Sequence, residues 1–137
     1  MLPSLQPGLT NSISFVVTRE RTARWILPEI PGSETMPEVF ASGHMLALME
    51  WCCIGAMTPH LEPGEGSLGT MFELTHEAAT PVGMTVTVDC TLETVDGRQL
   101  VFQVIARDEV DVIGRGRHGR TVVRWERFNQ KLAGKGK

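Results

Sequence analysis

The chain has 137 residues, a formal net charge of −3, 42% apolar residues and 21% charged ones. That length suits a single domain spanning 1–137, with a core large enough to fold without disulfides or a metal, and the slight acidic excess argues against nucleic acid as a partner. Its three cysteines, Cys52, Cys53 and Cys90, have neither the count of a disulfide framework nor a C-x-x-C spacing. With no leader-like start and no apolar run of about 20 residues, they predict a cytoplasmic protein that does not enter a membrane.

Residues 1–11 are rich in Pro, Gly and polar side chains and read as a flexible lead-in, and SISFVV at 12–17 predicts a first short strand. Residues 26–40, ILPEIPGSETMPEVF, hold three prolines and a glycine. They exclude a regular helix or central strand and leave a lid or a plain connection. From Ser42 to Met57 no polar face survives at a period of 3.6 residues, which predicts one long helix buried on all sides. Ser42 is a suitable N-cap, and Thr58-Pro59 ends the helix.

Everything beyond reads as strand. MTVTVDCTLETV at 84–95 alternates apolar and polar residues, Asp96-Gly97 marks a tight turn, and QLVFQVIARD at 99–108 returns as its partner. Further strands are expected at 67–78 and 114–127, and the tail 131–137 is expected to be flexible. One buried helix followed by antiparallel strands predicts an α+β architecture, an antiparallel sheet wrapped around a central helix, known as the hot-dog fold. The open sheet edge of such a fold predicts a homodimer.

Glu50 stands out chemically because it lies about two turns inside the apolar helix, where an unpaired carboxylate costs several kcal/mol. A functional role is favoured over a helix-end or subunit-contact ion pair. His76, in ELTHEA, becomes a candidate general base only if a partner lies within hydrogen-bond reach. Ser42 is read first as a cap, since FASGH is not a G-x-S-x-G elbow. Ser42 and Glu50, eight residues apart, differ by roughly 80° around a helix and can line one cavity. No histidine pair has metal-ligand spacing, so no metal and no cofactor are expected. GEGSLG at 64–69 matches no phosphate-binding fingerprint; it is a turn, or a place where Gly69 lets a substrate approach the backbone.

Several blocks, PEVFASG (37–43), LMEW (48–51), LEPGEGSLGT (61–70), TH with AATP (75–81) and RFN (127–129), together resemble the fluoroacetyl-CoA thioesterase family. The resemblance implies a hydroxyl–carboxylate–histidine set at Ser42, Glu50 and His76, with Ser42 where the family has threonine. It also implies that Gly43, Gly69, Arg120, Ser33 and Met36 border the acyl-CoA substrate. Ser33 and Met36 stand where the fluoroacetyl-specific family carries lid phenylalanines, Ala23 and Ile26 also differ, and His44 replaces an aromatic residue. These departures bear on which acyl group is taken rather than on hydrolysis. The expected reaction is hydrolysis of a short acyl-CoA, with the carbonyl at the helix N-terminus, Glu50 as nucleophile or base, His76 relaying protons and Ser42 orienting Glu50. The rival readings are a binding module without turnover and an enoyl-CoA hydratase or dehydratase.

Overall fold

Period-two alternation in the strands builds a five-stranded antiparallel sheet in the computed structural model, which describes residues 1–136. The elements run β1 (Thr10–Val16), α1 (Ser42–Met57), β2 (Glu65–His76), β3 (Thr85–Asp96), β4 (Gln99–Arg107), β5 (Val112–Arg124) and α2 (Trp125–Lys135). The strands are ordered β1-β3-β4-β5-β2. This order leaves β1 and β2 as the two edges.

On β3 and β4 the even-numbered residues Val86, Val88, Cys90, Leu92, Leu100, Phe102, Val104 and Ala106 are all buried. They meet Met45, Met49, Cys52, Cys53, Ala56 and Met57 of α1 in a single core cluster. Each large side chain so buried contributes about 1.5–3 kcal/mol, so this stripe fixes α1 against the sheet. The β3–β4 hairpin closes with Asp96 opposite Gln99, and Gly97 between them takes a φ of 58°, a conformation that suits glycine.

Four expectations change. The helix is not buried on all sides: Trp51 is 66% exposed, because the apolar residues of α1 form two stripes and the sheet covers only one. Its N-cap is Ala41 rather than Ser42, with no side-chain cap bond, since the Ser42 hydroxyl is engaged elsewhere. The lead-in is tied down, because Leu5 is buried in the core, the Leu2 N–H donates to the His60 carbonyl and the Gly8 N–H to the Leu92 carbonyl. The last strand stops at Arg124, and the tail continues as α2, in which Trp125 and Phe128 meet edge to face at 5.8 Å. Lys137, the last residue of that tail, lies outside the described residues.

Residues 26–40 hold no regular helix or strand beyond a short 3-10 turn at Ser33–Thr35. The surrounding chain is pinned by bridges from Thr22 to Phe40 and from Val39 to Pro81. The segment therefore arches over the N-terminal end of α1 between fixed ends. Ile26 reaches the helix there, and a Cβ at Gly43 would meet its Cδ1 at 3.0 Å.

Candidate active site

At the start of α1 the Ser42 hydroxyl and His76 Nδ1 are 2.7 Å apart, joining the helix to the last residue of β2. The other ring nitrogen, Nε2, is buried and has no hydrogen-bond partner among the described residues. Burial is the larger influence on this imidazole and holds its pKa below the ordinary value of 6.5. A histidine oriented through one nitrogen with the other free and neutral is suited to accept a proton. The N–H groups of Ser42 and Gly43 have no backbone acceptor among the described residues, and the helix dipole adds partial positive charge there.

This pair opens onto a cavity of about 280 Å³ lined by Ala23, Met36, Phe40, Ser42, His76 and Ala78, among others. Met36 is 49% exposed and also borders an adjoining cavity of about 320 Å³ with Ile26, Leu27 and Ser33. Ser33 thus lines the neighbouring space rather than the pocket at Ser42, and its hydroxyl donates to the Pro28 carbonyl at 3.2 Å. His44 lies apart from both, in a small apolar hollow with Phe15, Phe40 and Trp51.

Two turns along α1, Glu50 belongs to a second cluster. Arg120 Nη1 donates to Glu50 Oε2 at 3.1 Å, while Nε and Nη2 of the same guanidinium donate to the Ser67 hydroxyl (2.8 Å) and carbonyl (3.0 Å). Arg120 is 3% exposed, whereas the Glu50 side chain keeps 29% of its surface. The anchor is buried and the carboxylate is accessible. Gly69 lies against this carboxylate: a Cβ there would sit 2.6 Å from Glu50 Oε2. A bulge between Gly69 and Met71 shifts the β2–β5 register at this point, as bulges commonly do beside functional groups.

The sequence-predicted residues therefore separate into two groups: Ser42, His76, Gly43 and Met36 at the helix start, and Glu50, Gly69 and Arg120 at its middle. Eight residues of helix place Ser42 and Glu50 about 12 Å apart along the axis, and each is bonded to a different partner. The expectation that Ser42 orients Glu50 fails within one chain because the Ser42 hydroxyl is used by His76. His118 was not among the expected residues, yet it is fully buried and its Nε2 lies 3.1 Å from Arg120 Nη1. The only sequence signal for it is its place two residues before Arg120, which puts both side chains on one face of a strand.

The model of the fluoroacetyl-CoA-specific thioesterase family matches residues 17–126. The fluoroacetyl-CoA thioesterase of Streptantibioticus cattleyicolor is 54% identical over 132 residues, covering 96% of this chain and 95% of that protein. A solved structure of the fluoroacetyl-CoA thioesterase FlK, a threonine-to-serine mutant in complex with acetyl-CoA, has a TM-score of 0.94 and 50% identity over 97% of this chain and 100% of that one. A thioesterase superfamily member from Thermus thermophilus has a TM-score of 0.83 at 27% identity, covering 96% of this chain and 93% of that chain. With the hot-dog arrangement of one long helix on a five-stranded antiparallel sheet, the chain belongs to the fluoroacetyl-CoA-specific thioesterase family.

Proposed function

We propose that this chain hydrolyses a short acyl-CoA to the carboxylic acid and free CoA, in a site completed by a second copy of itself. The observation that carries the reading is the His76 imidazole, oriented by Ser42 with Nε2 free beside the pocket, in a chain whose accessible carboxylate is anchored by Arg120.

The second copy is inferred from geometry. Two α1 helices packed antiparallel about a two-fold axis near Leu46, midway between Ser42 and Glu50, set Ser42 of one beside Glu50 of the other. Pairing of β2 with its copy covers a sheet edge that leaves Phe72 42% exposed. Each two-fold dimer then holds two sites.

In each site the thioester carbonyl lies at the start of α1, where the Gly43 N–H and the helix dipole stabilise negative charge on oxygen. Glu50 either attacks the carbonyl carbon, displacing the CoA thiolate and leaving a mixed anhydride that water cleaves, or takes a proton from water as it attacks. His76 takes up a proton and delivers it to the departing sulfur. Water, the thioester and these side chains suffice, so the reading involves no cofactor beyond the CoA of the substrate. Three buried, unpaired cysteines support a cytoplasmic setting.

For the acyl group we favour a short chain with broader selectivity than fluoroacetyl alone, because Met36 is flexible and Ser33 is small and turned into its own loop. The test is thiol release from fluoroacetyl-, acetyl-, propionyl- and a longer acyl-CoA, with Glu50→Gln as control. Release abolished in the control supports the reading. Thermal stabilisation by these esters without thiol release would make the chain a binding module instead.

A further inference from the structure

His118 is 0% exposed and sits in van der Waals confinement on several sides. Phe72 stacks on its ring with centroids 4.6 Å apart and planes 19° from parallel, and a Cβ at Gly69 would lie 3.2 Å from its Cε1. Its two nitrogens have fixed partners. Nδ1 is 3.0 Å from the Met71 carbonyl, and Nε2 is 3.1 Å from Arg120 Nη1.

These partners settle the proton. A guanidinium has five N–H donors and no acceptor, so at the Arg120 contact Nε2 must offer a lone pair; a carbonyl only accepts, so Nδ1 must carry the hydrogen. Only the neutral Nδ1–H tautomer satisfies both bonds. Protonation or the other tautomer would set an N–H against an N–H in a buried place. Burial and the neighbouring Arg120 charge both oppose the cation, which agrees with this assignment, while Met71 and Glu50 act the other way.

The consequence concerns Arg120. One face of its guanidinium is held by Ser67 through Nε and Nη2, and the remaining nitrogen, Nη1, serves Glu50 and His118 together. We propose that His118 is a positioning residue for the reaction: its Nε2 lone pair fixes the Arg120 guanidinium in the rotation that holds the Glu50 carboxylate. The role rests on the reading of Glu50 as the group that acts on the thioester. It differs from simple core filling, which any buried ring would satisfy.

Two substitutions separate the roles. His118→Gln keeps an acceptor near the Nε2 position and loses the ring, whereas His118→Phe keeps the stacked ring and loses the acceptor. The proposal expects His118→Phe to lower kcat by about 10²-fold, the scale of an ångström-sized misplacement, with KM little changed, and His118→Gln to stay within several-fold of the unaltered protein. Equal activity of the Phe variant and the unaltered protein, or a Gln variant as impaired as Phe, would overturn it.

Nitrogen NMR on the unaltered chain decides the bond independently of turnover and of whether either variant folds. The neutral Nδ1–H form supports the proposal, and an Nε2–H or doubly protonated ring at neutral pH overturns it. An unaltered protein that releases no CoA overturns the thioesterase reading itself and removes the positioning role of His118 with it, whatever the NMR shows of the bond.

Discussion

At the start of α1, Ser42 and His76 share one hydrogen bond and leave the far nitrogen of the imidazole without a partner among the described residues, whereas two turns on Glu50 is held by a buried guanidinium. The first arrangement keeps a group available for proton traffic. The second holds a charge still, because Arg120 is bonded to Ser67 and His118 as well as to the carboxylate. General base and acid work needs a free nitrogen near its pKa, while attack on a carbonyl or on water needs a carboxylate in one place. On the proposed reading, in which the two ends meet across two chains, this difference divides the labour between them.

Removing the charge at the rigid end is the harshest way to break this comparison. Glu50→Gln keeps the shape and leaves Arg120 without its anion, and kcat should fall by about 10³-fold or more, read as thiol release under saturating substrate. Glu50 as nucleophile or as base is then resolved by single turnover in oxygen-18 water. Label in the Glu50 carboxyl marks the anhydride, and an unlabelled carboxyl marks the base.

At the open end, His76→Ala should cost about 10²-fold in kcat while leaving the circular dichroism spectrum unchanged, since among the described residues the ring makes one side-chain hydrogen bond, to Ser42. Gly69→Ala should disturb the rigid end without removing any functional group. The added methyl would overlap Glu50 Oε2 at 2.6 Å, and a fall of about tenfold or more in kcat is expected as the carboxylate is displaced. An unaffected Gly69→Ala protein would mean that the position of Glu50 matters less than the comparison requires.

The pH profile sharpens the same contrast with a smaller effect. Burial disfavours the His76 cation, so its folded pKa lies below 6.5 and the neutral, proton-accepting form persists to lower pH. The acid limb of kcat/KM should therefore have its midpoint below 6.5 and change in His76 variants. His44 and His118 are shifted the same way, both first by burial. The unfolded chain then binds protons more readily than the folded one, and stability, fully present above 6.5, should be lost as pH falls through the folded pKa values. Smallest of all, Met36→Phe should narrow the acyl preference with little effect on stability, as an exposed thioether at the pocket mouth gives way to a rigid wall.

The strands were legible in the sequence because β3 alternates apolar and polar residues and the turn after it carries Asp96-Gly97, which brings the apolar-rich β4 back as its partner. Glu50 was legible as a carboxylate out of place in an apolar helix. Arg120 was named through the resemblance alone, and its pairing with Glu50 was not legible, because Arg120 is 70 residues away and only the register of β5 against β2 brings it near. Ser42 was misread as a cap, since a serine at a helix start looks the same whether its hydroxyl turns to the backbone or to His76. The helix itself misled for a related reason: an all-apolar sequence cannot tell a face covered by its own sheet from one left open, and Trp51 lies on the open side. His118 was hidden because its meaning comes from Phe72, Met71 and Arg120 rather than from any local motif.

The most direct test of a site shared between two chains is to unfold, mix and refold equal amounts of the inactive His76→Ala and Glu50→Gln proteins and measure thiol release. If His76 of one chain works with Glu50 of its copy, each mixed dimer regains one intact site, and statistical mixing should return about a quarter of the activity of the unaltered protein carried through the same refolding. No recovery above the separate variants, in a sample that contains mixed dimers, would contradict the account.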